Sequence, residues 1–278
     1  MKFRQPITII GAGAVGRSIA AALLRGGAAI NGIYSRSSQS ALLLAKKIHC
    51  KNFGTVDDIK SVQGVIIAAV PDSQIKSVAR RLVLIQKSFK NVIVLHTSGA
   101  LASDELDILK RKGAATGSFH PMQTFPTFKT TTLKNIWCAA EGDLRARKIA
   151  RDIATTCGAS SFEISKEAKV LYHTAGIFAS NYLVTLLSIV EEIALKVKIT
   201  QSDVWKIYRP IIESTLRNGM ETSPAEALTG PIARGDADTI NKHLQTLSKK
   251  KLDHLVPLYS VLGIETARLA KKKKTAGN

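Results

Sequence analysis

A four-residue apolar strand, Ile7-Thr8-Ile9-Ile10, runs straight into Gly11-Ala12-Gly13-Ala14-Val15-Gly16. The small-residue helix pattern Arg17-Ser18-Ile19-Ala20-Ala21-Ala22 follows. Three glycines at this spacing, between a strand and a helix, leave the chain few folds to choose from. Gly11 permits the tight turn, Gly13 lets the backbone approach a pyrophosphate, and Gly16 lets the helix pack closely on the strand. The first-turn N–H groups, at Ala14, Val15 and Gly16, then face phosphate oxygens. A glycine pattern alone is common; the flanking strand and helix turn it into a dinucleotide site.

The end of the next strand chooses the dinucleotide. A fold built for NAD places Asp or Glu about twenty residues on, to hold the ribose 2′-OH. Here the apolar stretch Ala28–Tyr34 ends in Ser35-Arg36-Ser37-Ser38, with no acid. Arg36 offers a planar fork for a 2′-phosphate and the serines offer hydroxyl donors. NADP(H) is therefore the expected cofactor. The alternative is that Ser37 or Ser38 caps the next helix while Arg36 is solvated.

Continuous apolar runs recur between helical patterns, at 64–70, 91–95, 114–119, 136–140 and 160–164, with a helix over 143–157. Runs of this kind suit parallel strands covered on both faces. The expected fold is α/β, a doubly wound parallel sheet over residues 1–165 followed by an all-α domain over 166–278. In that second part, Thr200 to Asp203 reads as a capping box, and Ser223-Pro224 opens a short helix stopped by Gly230-Pro231. Asp236 caps a helix to about Lys250, and a last helix covers roughly 256–270.

Charge and cysteine content narrow the partners. The net charge is +19, with 23 Lys+Arg against 9 Asp+Glu in residues 1–160 and 17 against 12 thereafter. The excess lies mainly on the half expected to hold a polyanionic cofactor. No recognition-helix motif or basic-aromatic interleaving accompanies it, so no nucleic acid is expected. Cys50, Cys138 and Cys157 have neither zinc nor disulfide spacing, which suits a reducing, cytoplasmic setting and no metal. The apolar segment Thr174–Val190 contains Asn181, Tyr182, Thr185 and Ser188 and is followed by Glu191-Glu192. We expect it not to span a membrane but to be a helix buried at a domain or subunit interface, most simply in a homodimer.

Polar residues at strand ends and on the helices supply the candidate chemistry. Val70-Pro71 and Ser98-Gly99 leave the carboxyl edge of the sheet, where ligands bind in this architecture. Asp72 reads as a helix cap and His96 as a structural histidine. His120, held before Pro121 at a strand end, can exchange a proton near neutral pH or merely orient a loop. His173 and Asn181 lie within about 80° on a helix, with Ser180 nearer still and Lys169 one turn earlier. That stripe can face a carbonyl substrate or form a buried network. Arg234, in a Gly-Pro to Gly-Asp turn, can bind a carboxylate or pair with Asp236 or a partner subunit.

The order of the fingerprint, Ala69-Val70-Pro71-Asp72, Ser98-Gly99, Ser118-Phe119-His120-Pro121-Met122, His173 through Leu183, and Thr229 to Asp236 resembles a family of proposed NADP oxidoreductases. Its members pair a Rossmann-like domain with a helical domain of unknown function. The likeness extends to the 6-phosphogluconate dehydrogenase-like superfamily, including ketopantoate reductase, pyrroline-5-carboxylate reductase and prephenate dehydrogenase. A His-Pro-Met stretch in prephenate dehydrogenases carries a catalytic histidine, which implies a role for His120. Ketopantoate and hydroxyisobutyrate enzymes use Lys-x-x-x-Asn; here the same spacing from Lys169 reaches His173, so the two are rival proton donors. The resemblance implies an NADPH-dependent reduction of a C=O or C=N group of a small carboxylic acid, with ketopantoate one such substrate. Ser180 and Arg234 would bind substrate, and His120, His173, Asn181 and Lys169 would serve catalysis. A non-catalytic NADPH-binding regulatory protein is the alternative.

Overall fold

The computed structural model describes residues 3–276, which divide into two compact units that meet in sequence between Leu183 and Val184. The division falls later than residue 165, so the stretch 166–183 sides with the sheet.

The first unit holds one sheet of eight strands: β1 (Ile7–Ile10), β2 (Ile30–Tyr34), β3 (Phe53–Gly54), β4 (Val65–Ala68), β5 (Ile93–His96), β6 (Ala115–Pro121), β7 (Trp137–Gly142) and β8 (Ser160–Glu163). Their spatial order is β3-β2-β1-β4-β5-β6-β7-β8, so the winding reverses between β1 and β4. That reversal opens a crevice at the carboxyl ends of the strands. Every pair is parallel except β6 against β7, so the sheet is the expected doubly wound, parallel one with a single antiparallel pairing. The cause is the connection: residues 122–136 contain no helix, and a parallel return needs a crossover.

The helices of this unit are α1 (Ala14–Arg25), α2 (Ser38–Lys47), α3 (Ile75–Ile85), α4 (Asp107–Lys110), α5 (Leu144–Thr156) and α6 (Lys169–Ile177). Successive strand residues point to opposite faces. Ile9 and Ile67 join Ile19, Leu23 and Ile153 in one core, while their neighbours Ile10 and Ile66 join Ile75 and Leu82 in the other. Both faces are covered, which is why the strands read as unbroken apolar runs rather than alternating ones.

A π-helical turn, Phe178–Tyr182, follows α6 and leads into α7 (Leu183–Lys196). The second unit continues with α8 (Gln201–Glu221), α9 (Pro224–Ala227), α10 (Pro231–Arg234), α11 (Ala237–Lys249) and α12 (Val256–Ala276). Ser223 and Asp236 cap α9 and α11 as expected, accepting from Glu226 N and Thr239 N. The backbone of α12 runs on through Lys271–Lys274, past the expected end near residue 270. Among the described residues of this unit, the buried apolar side chains are Ala194, Val204, Leu252 and Leu255. Val184, Ile211, Met220 and Val261 are each more than half exposed.

The segment Lys169–Lys196 is apolar and largely exposed within the single chain. As one helical stretch of 28 residues it has the length and mean hydropathy to cross a bilayer, and only 6% of its most apolar window is buried inside the chain. The polar interruptions lower its hydropathy less than their number suggested.

Candidate active site

The fingerprint glycines divide their work as their spacing requires. Gly11 has φ +116°, and a Cβ there would lie 2.0 Å from the Ala69 carbonyl oxygen. A Cβ on Gly16 would lie 1.8 Å from the Gly11 carbonyl oxygen, so α1 could not sit against the turn. Gly13 meets nothing within 4 Å. It leaves open backbone at the head of α1, whose first turn holds no acidic residue and whose N-terminus has no side-chain cap. The arrangement is suited to an anion, because the N–H groups and the positive end of the helix face outward there.

Beside it lies a cavity of about 430 Å³ lined by Gly11, Gly13, Ser35, Arg36, Ser37, Val70 and Pro71. Ala14, Val15 and Gly16 form the first turn of α1 next to it, while Ser98 and Gly99 stand at the end of β5. Arg36 is exposed. Ser37 does cap α2, accepting from Ser40 N at 3.3 Å. The sequence reading missed Gln74, at the cap position of α3, and Ser77 and Arg81 within it, which share the cavity wall. Their spacing of three and four residues places them on one helix face, and that was the available signal. Arg81 pairs with Asp57 at 3.2 Å.

At the end of β5 a buried polar network begins. His96 Nδ1 accepts from Ser98 N at 3.2 Å, and Nε2 donates to the Ala102 carbonyl at 3.0 Å. Burial pushes its pKa down to about 4, with the Lys169 charge adding to the effect. His96 is thus a neutral, fully bonded structural histidine. Ser98 Oγ donates to Asp72 at 2.9 Å; Asp72 does not cap the helix as expected but opens a 3-10 turn whose cap position is Pro71.

Lys169 is completely buried. Its ammonium donates to the Ser98 carbonyl at 3.1 Å and to Ser118 Oγ at 2.7 Å. Ser118 Oγ in turn donates to Glu141 at 3.2 Å, and Glu141 also accepts from Ser103 N and Oγ at 2.9 and 2.7 Å. Burial lowers the Lys169 pKa to about 8, against the opposing pull of Glu141 and Asp72. Nothing in the sequence flagged Glu141, because it lies in β7, distant from every motif.

A second cavity, of about 440 Å³, is lined by His120, Met122, Thr124, Phe125, His173, Ser180 and Asn181. It lies wholly within the first unit. His120, His173, Ser180 and Asn181 are therefore brought together, although the π-helical turn alters the ideal helical angle between His173 and Asn181. Lys169 does not line it. A Cβ on Gly99 would lie 2.6 Å from His173 Nδ1 and 2.8 Å from His120 Nε2, so two imidazole nitrogens converge on a glycine. The His120 and His173 ring centroids are 5.8 Å apart. Burial, with Lys169, His173 and His96 nearby, pushes the His120 pKa down to about 4. Tyr172 Oη lies 3.0 Å from His120 Nδ1. Two imidazoles beside amide and hydroxyl groups can orient a carbonyl or imine and exchange a proton with it.

Part of the cavity rim is held from a distance. Arg17 of α1 donates to the carbonyls of Pro126, Thr127 and Lys129 at 3.2, 2.5 and 2.9 Å, and Ser18 Oγ accepts from Thr131 N at 3.0 Å. This fixes the loop that brings Thr124 and Phe125 to the cavity. Arg234 belongs to the second unit, exposed at the end of α10 between Gly230 and Gly235, both at positive φ.

Comparison with known families matches residues 1–121 to a Rossmann-like domain and residues 136–266 to a domain of unknown function, DUF2520. A search of curated protein sequences finds no match. Among solved structures, a "putative NADP oxidoreductase" from Bacteroides fragilis is 25% identical, with TM-score 0.79 over 95% of this chain and 98% of that one. A Thermotoga maritima protein is 26% identical, with TM-score 0.74 over 96% and 99%. A reductive aminase from Aspergillus terreus, solved with NADPH and ethyl levulinate, is 13% identical, with TM-score 0.72 over 97% and 95%, and shares the fold.

Proposed function

This chain joins a Rossmann-like domain to DUF2520, and from that pairing we propose that it is an NADP(H)-dependent oxidoreductase reducing a C=O or C=N group of a small molecule. The observation that carries the reading is the cofactor end. Gly13 stands open at the head of α1, beside a cavity walled by Arg36, Arg81 and serines. The likeness to the Bacteroides fragilis protein supports it.

The residues fit the cofactor. The α1 N-terminus would hold the pyrophosphate, Arg36 with Ser35 and Ser37 the 2′-phosphate, and Ser98-Gly99 the nicotinamide end. When bound, NADPH supplies a hydride. The protein's own part is to orient the substrate with Ser180 and Asn181 and to hold a proton at His120 or His173. Small carboxylic acids, ketopantoate among them, are the first substrates to test.

Measuring NADPH oxidation with 2-oxo acids, then with cyclic imines, tests the reading. Tight NADPH binding without turnover of any of them would favour the alternative, a non-catalytic NADPH-binding regulator. The burial of Lys169 away from the cavity is the observation on that side.

The sparse interior of the second unit supports a homodimer built through its helices. An apolar groove of about 460 Å³, walled by Leu186, Ile193, Leu247 and Leu262, lies open there. Three free thiols, two of them buried, accord with a cytoplasmic protein.

A further inference from the structure

Tyr172 has no place in the chemistry outlined above, yet its phenol touches the ring that does. His120 leaves β6 with Nδ1 facing Tyr172 Oη at 3.0 Å and Nε2 facing Gly99. The phenol is braced on its other side by Phe162, whose ring centroid is 5.8 Å away at 70°. Tyr172 and His120 meet edge to face at 88°, so neither ring can rotate without breaking a contact.

Protonation sets the direction of the shared hydrogen bond. Burial pushes the Tyr172 pKa up to about 12, so the phenol keeps its proton. Burial pushes that of His120 down to about 4, so the neutral ring has one N–H and one lone pair. A phenol is the stronger donor of the two groups, and an imidazole nitrogen the stronger acceptor.

Resting on the reading of the cavity as a reductase site, we propose that Tyr172 is a positioning residue that donates to His120 Nδ1 and thereby fixes the tautomer whose Nε2–H points past Gly99 at the substrate. A neutral N–H donor then faces the oxygen or nitrogen that gains charge during reduction. That N–H acts as a hydrogen-bond donor to the developing charge while Tyr172 keeps its own proton, and the proton that the substrate heteroatom gains comes from water, which leaves as hydroxide.

The test is nitrogen-15 NMR of the full chain labelled at histidine, with His120→Gln assigning the signal. In the native protein near neutral pH, His120 should show a bare Nδ1 and a protonated Nε2. Tyr172→Phe should shift the balance toward Nδ1–H, and with a working substrate should lower kcat about tenfold or more with little change in KM. An Nδ1–H tautomer in the native spectrum overturns the proposal, and that result needs no variant to fold. An unchanged tautomer in Tyr172→Phe overturns it too. The spectrum requires no turnover, so it is separable from the functional reading. A fixed Nε2–H tautomer together with an unimpaired His120→Asn enzyme would remove His120 from the reaction and leave the Tyr172 contact standing.

Discussion

The Lys169 ammonium meets Ser118 Oγ at 2.7 Å, and neither side chain is accessible to water. Through that hydroxyl the positive charge of α6 is tied to the buried carboxylate of Glu141 on β7. Removing one member of a buried pair strands the other charge and typically costs about 3–5 kcal/mol, while replacing both can be close to neutral. Urea unfolding should therefore show Lys169→Met and Glu141→Gln each destabilised by roughly that amount, and the double variant by less than their sum. Strict additivity would mean that the two charges do not interact.

Acid should weaken the fold early. His96 and His120 have folded pKa values of about 4, held there first by burial, against an ordinary value of 6.5. Between those values the unfolded chain binds more protons, so stability falls as pH drops from 6.5 toward 4. Each histidine contributes on the order of 3 kcal/mol across that window. A thermal melt series from pH 7 to 4 should show the decline, and His96→Gln should make it shallower. A flat native profile would contradict the buried, neutral state of both rings.

Cofactor choice rests on Arg36. Arg36→Ala should weaken NADPH binding about ten- to a hundred-fold, the loss of a charge-assisted hydrogen bond, and leave NADH nearly unchanged. Titration by nucleotide fluorescence decides it; equal affinities for both nucleotides in the native chain would remove the argument.

The fingerprint glycines should separate binding from folding. Gly13→Ala meets no atom within 4 Å and should melt near the native temperature, yet lose NADPH affinity. Gly16→Ala would drive its Cβ into the Gly11 carbonyl and should destabilise the fold itself. Identical behaviour of the two variants in calorimetry and nucleotide titration would refute the division.

Ile211 and Met220, 64% and 78% exposed on α8, are expected to be covered by a second copy. Light scattering at micromolar concentration should give a dimer, and Ile211→Glu with Met220→Glu should give a monomer or an insoluble chain. A native monomer, or partition into lipid vesicles, would show that the apolar helices serve something else.

The fold was largely legible because backbone demands are local. The glycine spacing, the unbroken apolar strands and the caps at Ser223 and Asp236 each declare their geometry within a few residues. The reversal of β7 was not, since an apolar run carries no direction and only the helix-free connection over 122–136 settles it. The two-residue β3 is too short to leave a pattern. His120, His173, Ser180 and Asn181 line one cavity, a grouping that strand end and helical spacing had suggested. Glu141 and Tyr172 were missed, because their partners are distant in sequence and no periodicity links them.

The Arg17 clamp has a consequence for how the molecule comes together. Its three carbonyl partners lie 109 to 112 residues further along the chain. Contacts that span so much chain carry a loop-closure penalty that local structure does not. The rim that carries Thr124 and Phe125 can thus set only after α1 and the far side of the sheet are both in place. The cavity lined by Thr124 and Phe125 depends for its rim on an arginine more than a hundred residues away in the chain.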